Sequence, residues 1–195
     1  MSALPKSNKR LHPDKIEKIF SWCEKTFVEQ TVKSFDQQMD SVLTEITIIS
    51  NESASYQEKQ IYSNLYSTLK TNKEEMGNAF NKFLKKYFEE KIIPQQNYEF
   101  SADELSLVSD TQIDSKIASQ NLESEMNKEM GEEVKNLSER MEFLLGKDKN
   151  PFTTDVLALA LTSALEQILQ DIAMQKQVVN IFSRKWTDSI KSTYE

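Results

Sequence analysis

The sequence predicts an all-α protein, an elongated antiparallel bundle of four or five long helices. Three observations lead there. Only 3 Gly and 4 Pro occur in 195 residues, too few for the tight turns that hairpins and sheets place between strands. Apolar residues recur at steps of three and four over stretches far longer than a strand, the spacing that lines one face of a helix. An apolar fraction of 38% beside 28% charged residues suits long amphipathic helices with wet outer faces. Ten Phe, six Tyr and two Trp supply enough apolar surface to offset the entropy of ordering.

Residues 1–12 read as a flexible lead and residues 13–195 as a single helical bundle domain. Pro13 fits the first turn of a helix, where its missing N–H leaves no bond unmade. From there Ile16, Phe20, Cys23 and Phe27, then Val28, Val32, Phe35, Met39, Val42, Ile46 and Ile49 mark one unbroken helix of about 36 residues, roughly 54 Å long. The shift from Phe27 to Val28 rotates the stripe, so its halves face different neighbours. NESAS at 51–55 is the turn. A second helix is expected from about Ser53 to Ile92, with Leu65, Leu69, Met76, Phe80, Leu84 and Phe88 on its buried side and Ile61 beside them. Gly77 inside it marks a close helix approach or a weak kink. Pro94 ends the element, and Tyr98 and Phe100 pin the irregular segment that follows.

The third helix is bounded by Ser109 and Gly146. Ser109 with Gln112 three residues on is a capping-box pattern, and Gly146 sits where a left-handed terminal residue is wanted. Its core face is expected to carry Ile113, Ile117, Met130, Val134, Leu137, Met141 and Leu144. After Asn150 and Pro151, Thr153 or Thr154 caps a fourth helix with Asp155 in its first turn, where negative charge suits the dipole. Val156, Leu157, Ala160, Leu161, Ala164, Leu165 and Ile168 make this helix apolar over more than half its circumference, the mark of a central element. Val179, Phe182, Trp186, Ile190 and Tyr194 either continue it or form a fifth helix after a bend.

The remaining composition excludes functions. A net charge of −7, with basic leanings only at Lys6–Arg10 and Lys82–Lys86, argues against a nucleic-acid partner. The single Cys23 cannot form an intramolecular disulfide, and no apolar run is long enough to cross a bilayer; a cytoplasmic protein is expected. His12 cannot frame a di-iron motif, nor can it complete a zinc site with Cys23 alone. Cys23 is expected in the core and His12 on the surface. Three glycines leave no phosphate-cradling loop. Adjacent carboxylates such as Glu74–Glu75 and Glu132–Glu133 point in different directions on a helix, as solvated faces do. No catalytic residue, cofactor or metal is expected.

What remains is a surface. Met126, Met130, Glu129, Glu133 and Arg140 on the third helix are the candidate partner-binding residues, because Met-rich helical faces adapt to varied partners. The plainer readings are core filling for the methionines and a packed stem with a paired guanidinium for Arg140. The expected function is a non-enzymatic interaction or adaptor module that docks a helix or tail of another protein. Self-association through the long first helix, giving a homodimer, is an additional expectation. The alternative is a sensor of a small ligand such as a cyclic dinucleotide, which needs an Arg cluster; the chain offers only Arg10, Arg140 and Arg184.

LSLV from Leu105, then an acidic helix start, NLSERMEFLLG and KNPF, resembles the bacterial domain-of-unknown-function 1631 family. Leu137, Arg140, Met141, Leu144, Leu145, Gly146, Asn150 and Pro151 fall on that family's marks. Upstream, Gln60, Tyr62, Leu65, Leu69 and Phe80 match a second family helix, and IFSRKW with the terminal Ser-Thr-Tyr is similar to a third region. The resemblance covers roughly residues 50–195. It implies an all-helical bacterial cytoplasmic module and brings no catalytic residues with it.

Overall fold

A computed structural model describes residues 12–92, 110–146 and 150–194, the side chains of residues 110–115 and 188 excepted. Among these residues there are six α-helices and no strand, gathered into a bundle. The helices are α1 (Pro13–Glu52), α2 (Tyr56–Thr71), α3 (Lys73–Ile92), α4 (Asp110–Leu145), α5 (Thr154–Ile168) and α6 (Ile172–Lys191). The lead at 1–11, the Ser109–Gln112 cap and the segment carrying Tyr98 and Phe100 lie outside the described residues.

The count exceeds four or five because the expected second helix is broken and the C-terminal stretch takes the fifth-helix reading. The second divides at Asn72, whose backbone (φ −102°, ψ 18°) leaves the helix. Its Nδ2 donates to Thr68 O at 2.9 Å, beside the Asn72 backbone N–H on the same carbonyl at 3.1 Å, the local side-chain bonding that competes with a continuing helix. Gly77, the position marked in the sequence, stays inside α3. A Cβ there would lie 3.1 Å from Asp36 Oδ1 on α1, so close approach, and not a kink, is its structural meaning. The fourth helix divides at 169–171. Asp171 caps α6 by accepting from the N–H groups of Ala173 (2.8 Å) and Met174 (3.2 Å), while Gln175 Nε2 donates to Leu169 O at 2.7 Å.

α1 contains 40 residues and is about 60 Å long. Its stripe from Phe27 to Ile46 is buried, with α2, α3 and α6 packed against it. Phe35 is stacked between Phe80 of α3 (4.3 Å) and Phe182 of α6 (5.4 Å). Trp186 stands edge-on to all three rings, geometry that suits the quadrupoles of aromatic rings. Its indole N–H donates to Ser34 Oγ at 2.9 Å, and Ser34 also bonds Ser189. A second aromatic knot joins Phe20 and Phe27 of α1, Phe88 of α3 and Phe152 before α5.

α5 is the inner element, as its composition requires. Val156, Leu157, Ala158, Ala160, Leu161, Ala164 and Leu165 are all buried. Tyr87–Ser163 (2.8 Å) and Lys91–Asp155 (2.7 Å) tie α5 to α3. The junction leading from α4 into α5 is built by Asn150, which donates to Ser138 Oγ (2.7 Å) and accepts from Phe152 N (3.0 Å). Gly146 ends α4 at φ 95°, its N–H reaching Glu142 O at 3.0 Å. That is the left-handed terminus read from the sequence.

Candidate interaction surface

α4 and α6 lie side by side, and their pairing places the candidate residues. The core side of α4 is set by Ser119, Leu122, Met126, Met130 and Met141. Leu122 and Met126 fill the gap that the expected series left between Ile117 and Met130. Ile117 belongs to another side and is 46% exposed. Over 36 residues the apolar series drifts around the helix, and Ile117 leaves the core.

Met126 and Met130 are fully buried. Core filling is therefore their role, and neither presents a surface to a partner. Glu133 meets Lys191 of α6 at 2.9 Å; the hydrogen bond from that ammonium holds its carboxyl below the usual glutamate range. Glu129 is exposed and lines a groove. Arg140 is also exposed, in a separate depression of about 500 Å³ with Asn136, Glu139, Phe143 and Leu144. The five candidates thus do not form one surface.

The groove between α4 and α6 consists of two adjoining depressions of about 260 and 860 Å³ that share Asn121, Glu125, Asn180 and Ser183. At one end Ile117, Ala118, Leu122 and Val179 supply apolar lining. At the other, Glu129 of α4 faces Arg184 and Thr187 of α6. From Ile117 to Glu129 the wall is about 18 Å long, three turns of helix. Neither helix is interrupted along it, so the floor is rigid. Sequence reasoning missed the α6 side because Asn180, Ser183 and Arg184 have no apolar period. Their only signal is their place on the wet side of a helix whose other side carries Val178, Phe182 and Trp186.

Reactive chemistry is sparse. Among the described residues no group of three His, Cys, Asp or Glu could hold a metal ion. His12 sits on the surface beside Asp14. Cys23 is half-buried on the inner stripe of α1, where burial pushes its thiol up and disfavours the reactive thiolate. Glu123 is raised by burial and by the nearby Asp155 charge, with Lys91 opposing. Asp155 is already paired with Lys91. Among the described residues no helix is long and apolar enough to cross a membrane.

A family model, protein of unknown function (DUF1631) N-terminal domain, matches residues 15–195, taking in α1 as well as the 50–195 stretch on which the resemblance was carried. No curated protein and no solved structure matches the chain.

Proposed function

The chain belongs to the DUF1631 N-terminal-domain family, and from that premise we propose that it is a non-enzymatic docking module. Its working surface is the α4/α6 groove, and its partner is an amphipathic helix or tail of another protein. The observation that carries this reading is the groove itself, an apolar end at Ile117, Leu122 and Val179 that opens into a polar end. Exposed Glu125 and Glu129 lie on one wall. A helix with an apolar side and a basic flank toward α4 complements that arrangement. The proposal includes an elongated, antiparallel arrangement, supported by the length of α1 and by the reversed order of pairs between α3 and α5 such as Tyr87–Ser163 and Lys91–Asp155. A cytoplasmic setting belongs to it too and rests on the lone cysteine. The sensor alternative loses support, because Arg140 and Arg184 line separate depressions.

Photo-crosslinking residues at Asn121 and Asn180, used in cells, test the reading. The expected result is one dominant crosslinked protein at both positions, reduced about tenfold by Glu125→Lys with Glu129→Lys. Crosslinks that differ between the two positions, or that ignore the charge reversal, overturn it.

A further inference from the structure

The outer face of α1 near its start carries a feature that core packing does not explain. Trp22 is 67% exposed and Ile19, one turn earlier, 39%. The other tryptophan, Trp186, is fully buried, so the fold does take indoles into its core. Leaving one outside forgoes the hydrophobic gain of burial. Trp22 stands in a column, Lys15, Lys18, Trp22, Lys25 and Glu29, at steps of three and four, and every member is exposed. The column lies away from the inner stripe of Ile16, Phe20, Cys23 and Phe27. Its one acid, Glu29, faces Lys25 at 3.9 Å. Of the other acids of this stretch, Glu17 and Glu24 lie on a different side of the helix, and Asp14 stands one turn before Lys18 at the end of the column.

We propose that this face of α1 is a docking surface for an anionic lipid bilayer, lying on the headgroups without crossing them. Indole rings favour the membrane–water interface, and lysine stems lie along apolar surface while their ammonium groups reach anionic headgroups. The charge of the whole chain favours the same contact. The first 25 residues hold six basic and three acidic side chains, whereas the remainder holds 18 and 28. An anionic surface therefore attracts this end and repels the rest, which sets the orientation. A column of lysines spread along one helix, with a single protruding indole, fits a plane better than it fits a peptide.

Vesicles test the proposal on the full chain. With phosphatidylcholine vesicles containing about 30% phosphatidylglycerol, at about 0.1 M salt, the chain co-sediments and its tryptophan emission shifts to the blue. Trp186 is already buried, so the shift reports Trp22. Pure phosphatidylcholine binds about tenfold more weakly. Trp22→Ala, and separately Lys15→Glu with Lys18→Glu, weaken binding about tenfold without lowering the melting temperature, because these side chains are exposed. Failure to bind the anionic vesicles overturns the proposal, as does binding that is indifferent to these substitutions. Equal capture by polyglutamate or RNA through the same lysines assigns the face to an acidic polymer and overturns it too. Glu125→Lys with Glu129→Lys leaves vesicle binding unchanged, which separates this face from the α4/α6 groove.

Discussion

Gly77 shows how a single missing Cβ is to be weighed. The atom that an alanine methyl would meet is Asp36 Oδ1, at 3.1 Å, the far end of an exposed side chain. A shift of a few tenths of an ångström in that carboxylate is cheap, whereas alanine gains about 1 kcal/mol over glycine inside a helix. Gly77→Ala is therefore expected to stabilise the protein by about 0.5 to 1 kcal/mol in urea unfolding; a loss of similar size would show that Asp36 is held in place. The sequence marks this glycine as unusual, because a helix interior does not favour it. It cannot tell close approach from kink, since that depends on which helix lies opposite. Met126 and Met130 follow the same logic. Their residue type allows either a core or an adaptable surface, and only the presence of α5 and α6 behind α4 decides for the core.

At the level of elements, the breaks at Asn72 and Asp171 are made by side chains that bond the backbone. Both positions are visible in the sequence as Asn or Asp inside an apolar series, a pattern that favours caps over helix interiors. No Gly or Pro accompanies either one, so the hydrophobic period runs through them unbroken. Asp171 accepts from two N–H groups of α6. Asp171→Ala is expected to cost about 1 kcal/mol, measured by thermal or urea unfolding, with Asp171→Ser restoring most of it. No loss on alanine substitution would mean that Gln175 and the apolar packing around Leu169 hold the break by themselves. Helix existence was legible nearly throughout, from Pro13 to Gly146, because long periodic stripes are the clearest signal a sequence gives. The α4/α6 groove was not legible, since a groove is a relation between two wet faces and neither face has a period.

Across the whole molecule, acid affects α4 in two opposite ways. Glu133 is held below the usual range by its hydrogen bond with Lys191, so its contribution is present above the unfolded value of about 4.3. It is lost as pH falls through the depressed folded value. Glu123 is raised by burial and Asp155; ionised, it opposes folding, and that opposition fades as pH falls through the raised folded value. Glu133→Gln is therefore expected to melt below the parent at pH 7 and Glu123→Gln above it, both differences narrowing as pH falls below about 4. Melting curves that stay parallel from pH 7 to pH 3 would refute the assignment. The pairing of the first and last described helices carries one more consequence. Phe35 is stacked on Phe182, and Ser34 is bonded to Trp186 and Ser189, so α1 leaves the ribosome well before its partner has been made. During synthesis α2 and α3 cover part of its apolar stripe first, the side toward Phe182 and Trp186 stays open, and the bundle closes only when α6 emerges.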